Sequence, residues 1–283
     1  MSDRQVALVT GASSGFGLLT SVELARRGLR VFASMRDLGR RERLDRAAAE
    51  AKVELEVVAL EVTSVASVAA AVGEVTAKAG RIDVLVNNAG FGIGGFLEDL
   101  TLGEVREQFE TNFFGALALT KAVVAGMRER RRGRIIQVSS IAGRVAIPGM
   151  SAYCASKFAL EGLSEALRYE LAPYGVQVVL VEPGTFRTDI FDRNRRMAAR
   201  STDETSPYFA VTRRMEQMVD KMVAKSTADP ADVAEVIADA ATVEHPRLRY
   251  LVGEDARRQA FLKSLLPASL WEKAVLKFVG HRG

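Results

Sequence analysis

The sequence predicts an α/β fold: a doubly wound, mostly parallel seven-stranded sheet with helices on both faces. Three observations predict it. Short β-branched or apolar runs alternate with longer helical patterns along the whole chain. The runs are near-continuously apolar, as strands become when helices cover both faces of a sheet. No repeat, low-complexity tract or Pro/Gly-rich linker divides the 283 residues, which reads as a single domain over 1–283.

Taken in order, the candidate strands are Val6–Val9, Arg30–Ala33, Glu54–Ala59, Val84–Val86, Arg134–Val138, Gln177–Val181 and Arg249–Val252. Between them, apolar residues recur at three- and four-residue spacing: Leu18, Val22, Leu24 and Ala25; Val105, Phe109 and Phe113; Leu160, Leu163, Leu167 and Leu171. Strands joined by helices imply right-handed crossovers and parallel neighbours. Long helices are expected over Thr101–Arg130 and Ser151–Ala172. Residues 186–226 break the rhythm with Phe186, Phe191, Tyr208 and Phe209, a run of arginines, and Met215, Met218 and Met222 at helical spacing. An excursion of this length reads as a substrate lid over the carboxyl ends of the strands. Residues 256–280 read as a C-terminal helical extension. It either caps the core or meets a subunit, with contact at a membrane surface a third reading.

Composition narrows the function. Hydrophobic residues make up 48% and charged residues 26%, ordinary for a globular chain that can bury its own core. Cys154 is the sole cysteine and His245 and His281 the sole histidines, so no metal site is expected and no His-based triad. The net charge of +4 is spread along the chain. The denser patches, Arg128–Arg134 and Arg193–Arg200, are not interleaved with aromatics and read as solvated surface, so no nucleic-acid partner is expected. The apolar stretch Ala260–Val279 is broken by Lys263, Pro267, Glu272, Lys273 and Lys277, too often for a membrane span. With no signal-like N-terminus, the expected location is cytoplasmic.

The first strand runs into Thr10-Gly11-Ala12-Ser13-Ser14-Gly15-Phe16-Gly17 and then a helical pattern. Three glycines permit a tight turn and close approach of a pyrophosphate, toward which the following helix directs its N–H groups and dipole. The alternative is a glycine turn that only closes a strand onto a helix. Further on, Tyr153 and Lys157 are four residues apart and share one helix face. An ammonium beside a phenol, together with an oxidised nicotinamide, is expected to lower the phenol pKa and make a general acid/base. Ser140 sits just past a strand, where its hydroxyl either meets a substrate carbonyl or caps a loop. Asn112 falls inside a predicted helix, where Asn is unfavourable, so it either kinks the helix with a water or faces solvent.

As a set, these residues resemble the short-chain dehydrogenase/reductase family, in the branch with TGxxxGxG and YxxxK motifs. The match runs in order from Val6 to about Thr188. The resemblance implies a Rossmann-type fold and hydride transfer between a nicotinamide and a carbonyl or secondary alcohol carbon. Tyr153 would be the acid/base, Lys157 would lower its pKa and hold the ribose, Ser140 would orient the carbonyl, and Asn112 would hold a water. The implied cofactor set is Gly11, Ser13, Ser14, Gly15, Phe16, Gly17, Arg36, Glu61, Val62, Asn88, Ala89, Gly90, Tyr153, Lys157, Pro183, Gly184, Thr185 and Thr188.

NAD-preferring members carry an acidic residue at the end of the second strand. Here Met35 is followed by Arg36, whose guanidinium suits a 2′-phosphate, so the expected cofactor is NADP(H). Asp37 would pair with Arg36 or cap the next helix. The substrate pocket is expected to be apolar, from Ile93, Ile141, Ile147, Phe186 and Ile190, with Phe91, Val145 and Met150 nearby. It suits a steroid-, retinoid- or acyl-like ketone or alcohol, unless these side chains belong to the core or a subunit contact. Two rival readings are a regulator that senses NADP(H) without turnover and a lyase or epimerase on the same fold. A homodimer or homotetramer is expected.

Overall fold

The computed structural model describes residues 4–188 and 195–280. Nine strands follow in chain order: β1 (Val6–Val9), β2 (Arg30–Met35), β3 (Glu56–Ala59), β4 (Val84–Asn87), β5 (Ile93–Gly94), β6 (Gly133–Val138), β7 (Val176–Pro183), β8 (Arg196–Met197) and β9 (Arg249–Val252). Seven of them pair in parallel in the order β3-β2-β1-β4-β6-β7-β9. The helices are α1 (Gly15–Arg26), α2 (Glu42–Ala51), α3 (Val65–Ala79), α4 (Leu102–Phe109), α5 (Ala116–Glu129), α6 (Ser151–Leu171), α7 (Phe209–Lys225), α8 (Pro230–Thr242), α9 (Glu254–Leu265) and α10 (Ala268–Phe278).

Strand alternation builds two cores. Leu8, Phe32, Leu85, Ile135 and Val178 face one side and pack on Val68, Val75, Leu119 and Leu171 of α3, α5 and α6. Their neighbours Ala7, Val9, Val31, Val86, Ile136 and Val181 face the other side, onto Leu24 of α1 and Val233 and Ile237 of α8. With both faces covered, an uninterrupted apolar strand is the stable solution.

The expected seven strands are present, with the ends of β2 and β7 extended and the start of β3 two residues later. The paired β5 and β8 lie apart from the main sheet and were not expected, since two residues carry no period. The helix expected over Thr101–Arg130 is interrupted. Thr101 caps it in a reciprocal pair with Glu104, but Glu110–Gly115 winds as a π-turn between α4 and α5. Such bulges put an extra residue into the helix and often sit at functional sites.

Strand order reverses between β1 and β4, which leaves a crevice at their carboxyl ends. The glycine turn after β1 meets Asn88–Gly90 after β4 there. Gly17 was expected among the phosphate contacts, but it is buried and serves packing: a Cβ there would lie 2.4 Å from both Gly11 O and Asn88 Nδ2. Gly17→Ala should therefore destabilise the protein by about 1–3 kcal/mol, even against ~1 kcal/mol of helix propensity gained, as read from urea unfolding.

Candidate active site

The turn after β1 is held from below. Thr10 Oγ1 accepts from the N–H groups of Asn88 and Ala89, each at 2.9 Å. The Asn88 amide donates to Thr10 O at 2.8 Å and Gly11 O at 3.3 Å. Asn88, expected on the cofactor, lines the cavity, and its amide shapes the glycine turn. Gly11 adopts φ +68°, and a Cβ on it would lie 2.9 Å from Ala89 Cα, so this position requires glycine. Ser14 stands at the N-cap of α1 without capping it through its side chain, and the first turn holds no acidic residue. The leading N–H groups of α1 are left for an anion.

From this turn a cavity of about 430 Å³ runs across the sheet edge, lined by Gly11, Ser13–Phe16, Asn88–Gly92, Val138–Ala142, Ile147–Met150, Tyr153, Lys157, Pro183–Phe186 and Thr188. Tyr153 and Lys157 project from the first turns of α6, and Ser140 from the end of β6. The Ser140 hydroxyl donates to Pro183 O at 3.5 Å and accepts from Ala142 N at 3.1 Å. Lys157 is buried; its Nζ donates to Val138 O at 2.9 Å and lies 5.9 Å from the centre of the Tyr153 ring.

The electrostatics correct one expectation. Burial pushes the Tyr153 phenol up to about 12, against a smaller lowering by Ser140. Lys157 is itself lowered to about 8 by burial, with Glu161 opposing. Among the protein's own groups desolvation outweighs the ammonium, because the ammonium is anchored on a backbone carbonyl rather than on the phenol oxygen. Beneath them, Arg249 bridges two buried carboxylates, with Nε 3.3 Å from Glu161 and 3.2 Å from Glu182. Burial raises both carboxyls above their ordinary range.

Asn112 lies in the π-turn, buried, and acts as a brace. Its Oδ1 accepts from Phe91 N at 3.1 Å, and its Nδ2 donates to Phe91 O at 2.9 Å and Ser156 Oγ at 3.2 Å. Both amide hydrogens are taken by protein, so this side chain is committed to bracing the loop. Gln108, which the sequence did not single out, adds a second clamp on the same loop through Ile93 N and Phe91 O.

Other expected residues separate into two groups. Ile141, Ile147 and Phe186 line the cavity, Phe186 edge-on to Phe16 with ring centres 5.6 Å apart. Ile93 does not: it is 1% exposed, and the flanking Gly92 and Gly94 line the wall while its own side chain turns into the interior. Val145 packs under α9 with Ala256 and Ala260. Ile190 lies outside the described residues.

Arg36, Glu61 and Val62 do not line the cavity. Val62 is buried against Gly115. Arg36 keeps 76% of its side chain exposed and pairs with Glu61 at 3.6 Å. Glu61 Oε1 also accepts from Thr63 N and Oγ1, so its carboxylate is already engaged with its own turn. Asp37 caps the following turn through Gly39 N rather than pairing with Arg36. Cys154 is buried with Ile147 N on its sulfur, and burial pushes its thiol up, which suits packing and not nucleophilic attack.

The cavity has a second wall. Met150, Met197, Thr212, Met215, Val219 and Met222 line it, four of them from α7. Arg196, on β8, stacks over Phe91 at 4.9 Å and pairs with Glu107 at 2.9 Å. Asp255 of α9 accepts from Thr185 N at 2.8 Å, a contact across 70 residues that no local pattern signals.

A sequence model described as short chain dehydrogenase matches residues 5–199. The chain is 37% identical over 279 residues to a 3-ketodihydrosphingosine reductase of Bacteroides thetaiotaomicron, covering 98% of this chain and 99% of that one. A short-chain dehydrogenase structure from Streptomyces avermitilis superposes with TM-score 0.82 at 36% identity, covering 99% and 98%. A metagenomic short-chain oxidoreductase solved with NADP superposes with TM-score 0.69 at 31% identity, covering 88% and 96%. In its sequence, its strand order and its overall backbone, this chain belongs to the short-chain dehydrogenase family.

Proposed function

We propose that the protein is an NADP(H)-dependent oxidoreductase that reduces the carbonyl of an apolar substrate, with Tyr153 as general acid. One observation carries this reading: Tyr153, Ser140 and Lys157 meet in a largely apolar cavity that runs unbroken to the glycine turn. The turn fits a dinucleotide, with bare backbone at Gly11 and uncapped N–H groups at the start of α1. Gly11, Ser13–Phe16, Ala89, Gly90, Lys157, Pro183–Thr185 and Thr188 would hold it. When bound, the nicotinamide supplies or accepts the hydride at the substrate carbon.

The residues of the chain do the rest. Ser140 donates a hydrogen bond to the carbonyl oxygen and polarises it. Tyr153, a phenol that is protonated at neutral pH and that burial holds the more firmly so, delivers the proton that the new alkoxide needs. That acid form is what reduction consumes, and the likeness to a 3-ketodihydrosphingosine reductase supports the same direction and a keto substrate. Asn112 and Gln108 fix the loop that walls the cavity opposite Tyr153. The chemistry of the wall, apolar with four methionines, selects an apolar body. Arg36, at the end of β2 and mostly exposed, is free to turn from Glu61 onto a 2′-phosphate.

Tyr153→Phe should lower kcat by roughly 10²–10⁴-fold while NADPH binding, followed by fluorescence, changes less than about twofold. Lost binding would remove Tyr153 from the acid role. Arg36→Ala should weaken NADPH by about 1.5–3 kcal/mol and leave NADH nearly unaffected, read by titration calorimetry with both nucleotides. Equal losses would remove the 2′-phosphate contact.

Lys157 makes a prediction on stability. Its pKa falls from 10.5 to about 8 in the folded protein, so its favourable contribution is present above pH 10.5 and is lost as pH falls through 8. Lys157→Met removes that dependence. Its stability relative to the parent should rise by up to ~3 kcal/mol between pH 10.5 and pH 7, measured by urea midpoints in the absence of nucleotide. A constant difference would show the ammonium to be hydrated.

A further inference from the structure

The C-terminal helices α9 and α10 carry a surface that the reaction does not use. Their inner side is committed: Ala256 and Ala260, with Trp271, pack on Ile141 and Val145. Their outer side carries Phe261, Leu262, Leu265, Leu270 and Leu276, five of the fifteen exposed large apolar side chains among the described residues. Phe261 is 62% and Leu265 64% exposed, and the two are four residues apart on one helix face. The same helices carry Arg258, Lys273 and Lys277, all exposed and with no carboxylate partner among the described residues.

This surface borders the cavity on two sides. Ile141, under α9, is a cavity wall. Beyond α10, the Val279 carbonyl accepts from Arg214, and the next residue of α7, Met215, is another wall. Two kinds of partner could cover a patch of this composition. A second copy meeting it across a two-fold axis would face this surface with an identical one, in which the cations outnumber Glu254, Asp255 and Glu272, a like-charge apposition that costs affinity. An anionic lipid surface complements both features, taking the apolar side chains into its interfacial zone and the cations onto its phosphates.

We propose that α9 and α10 dock the protein onto anionic phospholipid membranes, placing the cavity beside the lipid phase. That this serves delivery of an apolar substrate rests on the function proposed above; the docking itself does not.

The test is sedimentation of the full chain with vesicles of phosphatidylcholine alone or mixed equally with phosphatidylglycerol. The parent should partition onto the anionic vesicles and be released by salt. Phe261→Ser with Leu265→Ser should lower the partition coefficient at least ~10-fold. Lys273→Gln with Lys277→Gln should lower it by ~30-fold, about fivefold per cation lost. The charge variant lies wholly on the surface, so it keeps the test decisive should the apolar variant unfold. Failure of the parent to bind anionic vesicles overturns the proposal, as does binding unchanged in both variants. Sedimentation velocity showing a dimer that the apolar variant dissolves assigns the face to a second copy and overturns it too. NADPH-dependent turnover of a small water-soluble ketone, measured on the same samples, should be equal in parent and variants. Its absence in the parent would overturn the reductase reading and leave the vesicle result standing.

Discussion

The hydrogen-bonded knot between Thr10 and Asn88 is the constraint on which the site depends. It joins the loops after β1 and β4 where the strand order reverses, through Thr10 Oγ1 on two backbone N–H groups and the Asn88 amide on two carbonyls. Each bond is worth about 1 kcal/mol net, but their geometry matters more than their sum. They hold Gly11 at a positive φ with its Cα against Ala89, and they leave no room for a side chain at Gly17. The crevice that any doubly wound sheet opens at this point becomes, through this knot, a cradle of bare backbone.

Next to that cradle, the fold takes two ionisable groups out of water and drives each toward its neutral form. Tyr153 keeps its proton more firmly and Lys157 less firmly than in solution. An ammonium that set the phenol pKa directly would need to face its oxygen; here it is tied to Val138 O. On the proposed function, the phenol would thus act as an acid rather than a standing base. Deeper still, Glu161 and Glu182 are bridged by Arg249, and Glu161 opposes the lowering of Lys157 without reversing it.

Much of this was legible in the sequence, for physical reasons that also explain what was not. The seven strands announced themselves because both faces of the sheet are covered, which makes each strand a run of apolar residues. Tyr153, Lys157 and Ser140 fell together because helix period and strand end are local facts. The π-turn was illegible: inserting one residue into a helical turn leaves the spacing of Val105, Phe109 and Phe113 unchanged. Ile93 was misplaced because β5 is two residues long, too short to reveal which neighbour faces the cavity. The phenol pKa was misjudged because burial is a tertiary quantity and the Tyr–Lys spacing alone suggested a charge partner. Asp255 and Gln108, which clamp backbone N–H groups from far along the chain, leave no trace in local pattern.

The cavity wall contributed by α7 carries the argument about selectivity furthest. Methionine fills irregular space at little rotamer cost, so Met150, Met197, Met215 and Met222 adapt to the outline of an apolar guest instead of prescribing it. On the proposed function, rigid recognition is confined to the other end, where Ser140 and Tyr153 would fix one oxygen. The charged side chains at this end of the wall are paired: Arg196 with Glu107 and flattened against Phe91, and Arg195 with Glu216 and Asp220. On the function proposed above, a site built this way would discriminate by the position of a carbonyl within an apolar body and tolerate variation in the body. Small polar ketones would gain the hydrogen bonds but none of the apolar burial. Since each buried methylene is worth about 0.8 kcal/mol, extending the apolar body should improve kcat/KM until the cavity is filled.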